Sequence, residues 1–394
     1  MPRFRRLSAL ALAAVVSGLV GCSGPSAGAI ASCIVRPAAE IVPAEGTLFG
    51  VNLDWGAETL KEYSTALGER PSVAVAFADL PLTAGERDEV HAAAEQLRVN
   101  GGTLLLTLES IGGLAAVTDD VAADIADLAA AVNERGVPVI VRFAHEMNGS
   151  WYAWGQQPTA YVETFRRVAA AVHADAPGTA MMWAPNSAEG YPFSGGASAA
   201  QPGTADFAVL DTTGDGVLTL DDDPYAPYYP GDDAVDWVGM SLYHWGSAHP
   251  WGENELPEPG KFAAQLTGTY SGAAGDETAA PDFYRTYGVE HGKPVAIPET
   301  AALVVPRGDP EGELAIKQAW WRQVLSEDVA TRFPNIRMVN WFEWDKFEPE
   351  VQGEVHWSVL DDDETRRAFR ADLPDGLVYS DLSERCTTPP APVG

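Results

Sequence analysis

Cysteine and histidine are scarce in this chain of 394 residues, which contains three cysteines and seven histidines. They do not stand at the short spacings that bring several ligands to one zinc ion. No glycine-rich phosphate-binding fingerprint follows the first predicted strand either. We therefore expect a protein that needs neither a metal nor an organic cofactor for catalysis.

Basic residues are also few, because 25 lysines and arginines stand against 56 acidic residues and give a net charge of −31. Nucleic-acid binding requires a basic surface, and adhesion to anionic lipid requires a basic patch. The composition argues against both kinds of partner. It favours a substrate that is neutral rather than polyanionic, and an acidic surface that keeps an exported protein soluble.

The sequence offers one apolar N-terminal run, residues 7–20, which is too short for a comfortable membrane span. It follows Arg3 and other arginines and ends in Leu-Val-Gly before Cys22, which resembles a bacterial lipobox. We predict a lipoprotein signal peptide at 1–21, lipidation of Cys22 and a flexible tether at 22–35. The protein would be exported and held at the cell surface; an ordinary signal peptide, and hence a secreted protein, is the alternative.

The remaining two cysteines, Cys33 and Cys386, lie near opposite ends of the exported part of the chain. In an exported protein an even pair is most simply a disulfide, although two free thiols are the alternative. Between them, residues 36–386 show no internal repeat and no low-complexity linker. We predict one domain there and a proline-rich tail at 387–394.

Strand-like and helical segments alternate along this domain, which indicates a parallel sheet with helices packed on it. The predicted strands are 48–53, 72–77, 103–108, 137–143, 180–184, 235–242, 294–297 and 336–342. The predicted helices include 58–67, 86–97, 119–134, 159–175 and 313–333. Eight such units over this length predict an α/β fold of the (β/α)8 TIM-barrel type, with a doubly wound sheet as the alternative.

Polar and aromatic residues follow almost every predicted strand, where the active sites of such barrels are found. The fourth strand runs into Arg142, His145, Glu146, Asn148 and Trp151. Further strand exits supply aromatic, amide or carboxyl side chains: Trp183 and Asn186 at strand 5, Tyr243 after strand 6, Glu299 after strand 7, and Trp344 after strand 8. Two carboxyl groups that flank a glycosidic bond are what glycoside hydrolysis requires, and Glu146 and Glu299 are the strongest pair.

Four motifs resemble those of glycoside hydrolase family 26. They are HEMNGSWYAWG at 145–155, YYPGD at 228–232, VDWVG at 235–239 and KPVAIPE at 293–299. The resemblance extends from about the first to the last predicted strand. It implies a retaining endo-glycanase in which Glu146 is the acid/base and Glu299 is the nucleophile.

The same resemblance implies roles for residues around this pair. His145 would bind near the cleaved bond, Trp151 would line the cleft, Tyr243 would hold the nucleophile and Trp344 would form a sugar platform. Arg142 and Asn148 are predicted as supporting or binding groups. Trp183 and Asn186 join the predicted substrate-binding set through their position after strand 5.

The best-known enzymes of this family act on β-mannan, which is the predicted substrate. Mannanases of the family often carry a Trp-His pair after strand 3, where this chain has Glu109. Mixed-linkage β-1,3-1,4-glucan and β-1,3-xylan are therefore alternative substrates, and transglycosylation or lyase chemistry also stays open. The alternative from another class is a lipid-anchored carbohydrate-binding protein, which would keep the aromatic platforms and lose one of the two carboxyl groups.

An acidic insertion at 211–222 resembles a calcium-binding loop, with a glycine at its sixth position and a hydrophobic residue at its eighth. We predict a structural calcium ion rather than a merely solvated acidic turn. Its predicted ligands are Asp211, Thr213, Asp215, the backbone of Val217, and Asp222.

Overall fold

The computed structural model describes residues 32–33, 35–246, 251–273, 275–306, 310–380 and 386–387. Eight parallel strands form a closed barrel, because the last of them pairs with the first. They are β1 (Thr47–Asn52), β2 (Val73–Asp79), β3 (Thr103–Glu109), β4 (Val139–Phe143), β5 (Thr179–Trp183), β6 (Trp237–Gly239), β7 (Val295–Thr300) and β8 (Ile336–Phe342). The predicted (β/α)8 TIM barrel is confirmed.

The helices surround this barrel, mostly between consecutive strands. They are α1 (Leu60–Leu67), α2 (Ala84–Asn100), α3 (Asp119–Asn133), α4 (Pro158–Asp175), α5 (Ala205–Leu210), α6 (Lys261–Leu266), α7 (Pro310–Val324), α8 (Glu327–Arg332) and α9 (Asp363–Asp372). A π-helical segment covers Tyr284–Glu290, and 3₁₀ turns cover Ala38–Glu40, Leu114–Ala116 and Ala226–Tyr228. Among the described residues, none of these helices combines the length and apolar character of a membrane span.

Side chains at the helix starts explain where several helices begin. Thr59 accepts the backbone N–H of Glu62, and the Glu62 carboxylate accepts the N–H of Thr59, which forms a capping box before α1. Ser326 caps α8 in the same region where the sequence predicted one continuous helix from 313 to 333. That prediction was wrong in its continuity, because this cap begins a second helix after α7.

The barrel interior is filled by apolar side chains from alternate strand positions. They are Leu48, Val73, Val75, Leu105, Ile140, Ala180, Met182, Ala184, Trp237, Ala296 and Met338. Arg142 on β4 and Asn340 on β8 each lie two residues beyond this apolar layer, and both are fully buried. The interior therefore changes from apolar to polar toward the carboxyl ends of the strands.

The two ends of the described chain meet in a short antiparallel pair of strands, Ser32–Cys33 and Cys386–Thr387. Cys33 and Cys386 are opposite each other in its register. Their side chains lie outside the described part of the structure, so the disulfide stays a prediction. Cys22 and the predicted signal peptide also lie outside the described residues.

Candidate active site

Glu299 lies at the end of β7, where both of its carboxylate oxygens are engaged. Arg142 reaches from β4 and donates from Nη1 to Glu299 Oε1, and Tyr243 donates its hydroxyl to Oε2 at 2.8 Å. Burial raises the pKa of Glu299, but the positive charge of Arg142 and its hydrogen bond outweigh that effect. The pKa therefore lies below its ordinary value, which keeps this carboxylate ionised.

Glu146 lies beyond β4 and has the opposite electrostatic environment. It is buried, and its Oε2 accepts the indole N–H of Trp151 at 3.2 Å. Burial, followed by the negative charge of Glu299, raises the pKa of Glu146 to about 7. One carboxyl group of the pair is thus stabilised as the acid and the other as the anion, which is the division that acid-assisted glycosidic cleavage requires.

The backbone at the end of β4 is unusual because Ala144 and Glu146 both have positive φ, 45° and 53°. Non-glycine residues adopt this left-handed conformation only where surrounding contacts enforce it. Here the N–H of Ala144 binds the carbonyl of Leu108 on β3, and the N–H of Glu146 binds that of Ala184 after β5. The neighbouring strands therefore fix the position from which the Glu146 side chain projects.

Aromatic rings surround the two carboxyl groups. His145 is almost fully buried and lies 6.1 Å from the ring of Phe77 and 5.0 Å from that of Tyr152, measured between centroids. Burial lowers the pKa of His145 to about 3, so the imidazole is neutral. The ring centroid of Trp344 lies 6.0 Å from that of Phe77, and Trp344 remains partly exposed. Such rings suit the faces of sugars.

The structure does not bring Trp183 to this site, so its predicted substrate contact is withdrawn. Its neighbours Met182 and Ala184 belong to the barrel interior, and successive strand residues face opposite sides of a sheet. Trp183 accordingly faces the outer layer, where its ring lies 5.9 Å from Phe283 and 4.7 Å from Tyr287. It is fully buried there.

Asn148 and Asn186 bind each other near the site. Asn148 accepts the backbone N–H of Asn186 at 2.8 Å and donates to its carbonyl at 2.9 Å. Because Asn148 is fully buried, these bonds join the segment after β4 to the segment after β5. The side chain of Asn186 remains partly exposed.

Three polar residues of the site were missed in the sequence. Ser241 accepts from Arg142 Nη2 at 2.7 Å, and its hydroxyl stabilises the ionised form of Glu146. Asn52 and Asn340 both donate to the carbonyl of Pro298, which precedes the nucleophile candidate. Each of the three is a polar residue within a strongly apolar segment, and this pattern could have marked them as site residues in the sequence.

Glu109 ends β3 beside Asp79, its register partner on β2. Burial, and then the charges of Asp79 and Glu299, raises the pKa of Glu109 to about 7. The charge of Glu109 thus interacts with that of Glu299, one of the two catalytic candidates. From the sequence alone, Glu109 was noted only as a departure from the mannanase pattern.

In the insertion at 211–222 the loop's own donors bind the predicted calcium ligands. Asp211 accepts the backbone N–H groups of Gly214, Asp215 and Gly216. Asp222 accepts from the backbone of Thr213 at 3.0 Å. Across the described part of the chain, no group of three or more His, Cys, Asp or Glu side chains is arranged to hold a metal ion. Calcium binding stays a prediction.

Comparison with known proteins supports the family resemblance at this site. A sequence model described as glycosyl hydrolase family 26 matches residues 108–193, which include β4 and the segment after it. No curated protein sequence matches the chain.

Solved structures share the fold across most of the chain. GH26C from Muricauda sp. MAR_2010_75 has a TM-score of 0.55 at 14% identity and covers 88% of this chain and 90% of its own. The modular endo-β-1,4-mannanase of Cellulomonas fimi has a TM-score of 0.54 at 17% identity, covering 88% and 77%. The GH26 β-mannanase BoMan26A of Bacteroides ovatus has 0.51 at 16%, covering 87% and 93%. At these identities the likeness concerns the fold.

Proposed function

Because the chain belongs to glycosyl hydrolase family 26, we propose that it cleaves internal bonds of a neutral β-linked polysaccharide, and specifically of β-mannan. As a member of this family it is an O-glycosyl hydrolase, and retention of configuration is general in the family. The observation that carries the assignment of roles is that Arg142 and Tyr243 both donate to the Glu299 carboxylate, whereas Glu146 is buried beside that negative charge.

In the proposed first step, a Glu299 oxygen attacks the anomeric carbon while Glu146 gives its proton to the departing glycosidic oxygen. The bond from carbon to that oxygen breaks, and an ester between sugar and Glu299 forms. Arg142 and Tyr243 hold the attacking carboxylate in place and keep it ionised. No external acid is needed, because Glu146 already carries the proton.

In the second step, the now ionised Glu146 takes a proton from water as the water oxygen attacks the same carbon. The ester bond breaks, Glu299 returns as a carboxylate and Glu146 returns as an acid. Two displacements at one carbon restore the original configuration. His145 is neutral above a pH of about 3, so Arg142 supplies the positive charge that stabilises the nucleophile.

Two features support a neutral, aromatic-bound sugar chain as the substrate. The net charge of −31 disfavours polyanionic sugars. Trp151, which donates to Glu146, and Trp344, which packs on Phe77, both have partly exposed indoles. Relatives of the same fold are described as β-mannanases, which supports β-mannan in particular.

Glu109 favours a second candidate substrate class. It places a carboxyl group where family mannanases often carry a Trp-His pair, close enough to Glu299 for their charges to interact. Mixed-linkage β-1,3-1,4-glucan and β-1,3-xylan are therefore the alternatives. Purified protein assayed on mannan, mixed-linkage glucan, xylan and β-1,3-glucan tests the choice, and absence of mannan hydrolysis would overturn the proposed substrate.

The catalytic roles are tested with Glu146→Gln and Glu299→Gln. Both variants keep the shape of the side chain, and we expect each to lose at least the roughly 10²–10⁴-fold that general acid catalysis contributes. Glu146→Gln should leave the melting curve unchanged. Glu299→Gln should lower the melting temperature while the protein still folds, because it leaves the buried Arg142 without its counter-ion. NMR of the first product should show the original anomeric configuration. Full activity in either variant, or an inverted product, would exclude the mechanism.

A further inference from the structure

We propose that Phe193 is a positioning residue of this active site, which holds Trp151 and through it the acid Glu146. The inference deepens the proposed function and rests on it, because that function assigns the proton transfer to Glu146. Phe193 lies in the segment after β5, more than forty residues along the chain from the acid it would position.

The indole of Trp151 needs support from outside its own segment. It donates to Glu146 at 3.2 Å, but 42% of its surface is exposed. A side chain with that exposure retains rotational freedom, and an ordered hydrogen bond requires that the freedom be restricted. The backbone already gives the ring room, since a Cβ at Gly149 would overlap the indole.

Phe193 supplies the missing support. Its ring lies 5.1 Å from that of Trp151 at an interplanar angle of 77°, an edge-to-face contact of the favourable kind. Tyr191 in turn contacts Phe193, with ring centroids 5.7 Å apart and an interplanar angle of 89°. Tyr152 contacts Trp151 at 6.1 Å. The indole thus contacts two rings, and one of them comes from a distant part of the chain.

The segment that carries Phe193 is bound firmly to the segment after β4. Ser150 donates its hydroxyl to the carbonyl of Phe193 at 2.5 Å, and the N–H of Ser198 binds the carbonyl of Ser150 at 2.9 Å. Gln156 donates to the carbonyl of Pro192 at 2.8 Å. These bonds fix the backbone on both sides of the Phe193 ring.

The backbone of Phe193 is held in an unfavourable conformation to make this contact. Its φ is 54°, a left-handed value that is a genuine outlier for a bulky side chain. The close approach of Gly196 to Ser150 leaves no room for a Cβ at position 196. Strain that surrounding contacts maintain beside an active site indicates a functional constraint.

The experiment is a double-mutant cycle read through the pH dependence of kcat/KM on the polysaccharide. The variants are Phe193→Ala, Trp151→Phe and the double variant. Trp151→Phe removes the N–H that lowers the pKa of Glu146, so the alkaline limb should move to higher pH. Phe193→Ala should move it the same way and reduce kcat/KM roughly tenfold, part of the about 10²–10⁴-fold of general acid catalysis.

In the double variant the loss of kcat/KM should be close to that of Trp151→Phe alone, because both changes disrupt the same hydrogen bond from Trp151 to Glu146. Phe193→Tyr, which keeps the ring, should recover most of the activity. Phe347→Ala removes an aromatic side chain that is 57% exposed and serves as the matched control with an unchanged pH profile. Melting curves of all variants identify any that are misfolded.

Independent, additive losses would overturn the inference, as would an unchanged pH profile in Phe193→Ala. An alkaline limb that moves to lower pH would also overturn it, since that direction indicates water reaching Glu146. If instead Glu146→Gln remains fully active, Glu146 is not the proton donor, and it is the proposed function that fails. The two failures are therefore distinguishable.

Discussion

At the scale of single residues, the two glutamates differ because their nearest partners differ. Glu299 contacts the guanidinium of Arg142, whereas Glu146 is buried beside the charge of Glu299. Burial disfavours ionisation in both, and only Glu299 has a cation that outweighs it. The same residue type therefore serves two chemical purposes at one site.

This difference predicts the pH profile of kcat/KM. The acid form of Glu146 is present below its pKa of about 7 and is lost as the pH rises through that value. The anion of Glu299 persists into acidic solution because its pKa is lowered. We expect a bell-shaped profile with an optimum on the acidic side of 7 and an alkaline limb near 7.

Replacement of Glu299 tests the coupling directly. Glu299→Gln removes the neighbouring negative charge, so the pKa of Glu146 should fall. Titration of Glu146 by NMR in both proteins measures the change, and the pKa of Glu109, which the charge of Glu299 also raises, should fall as well. An equal or higher pKa in the variant would contradict the coupling.

Some of these residues could be predicted from the sequence, and others could not. Glu146 and Glu299 were singled out because they follow apolar strands with a polar, aromatic frame. Trp183 also lies at the end of a strand, but that position alone does not show whether its side chain faces the inside or the outside of the barrel. Ser241 was missed because one hydroxyl in an apolar run looks like a satisfied core residue until its partners are known.

At the scale of elements, the period of hydrophobic residues predicted the strands and helices well but not all their ends. β6 was predicted as 235–242 and consists of Trp237–Gly239, since ladder pairing rather than apolarity defines a strand. A long helical pattern likewise concealed the boundary at Ser326, where a side-chain cap begins α8. The ends of strands and helices are set by ladder pairing and side-chain caps, and composition alone does not determine either.

The insertion at 211–222 gives a prediction at this scale. If it binds calcium, chelation should lower the melting temperature more than it lowers activity at moderate temperature. Binding to the folded state contributes about 2.7 kcal/mol at a hundredfold excess over Kd.

Asp215→Ala should abolish the effect of the chelator, because Asp215 is a predicted ligand. Asp221→Ala, which removes a neighbouring carboxylate outside the predicted ligand set, is the matched control. Calorimetry with and without calcium measures both. The same melting temperature under the two conditions would favour a solvated turn closed by the bonds that Asp211 accepts.

At the scale of the whole molecule, we propose that Cys22 carries a lipid that holds the enzyme at the cell surface. A diacylglyceryl group supplies two chains, and stable anchoring needs more than one. We expect the mature protein to partition with membranes and Cys22→Ala to block lipoprotein processing. Mass spectrometry of the mature N-terminus measures this, and an unmodified terminus on protein free in the medium would contradict it.

The chain enters the barrel at the amino ends of the strands, which is the end opposite the carboxyl pair. The N–H of Ala38 binds the carbonyl of Pro177 just before β5, and Thr47 then opens β1. Glu146 and Glu299 lie at the other ends of the strands. A lipid at Cys22 would therefore hold the barrel by its base. The cleft would then lie at the end of the barrel away from the attachment point, so that a long polysaccharide could bind across it without contacting the anchor.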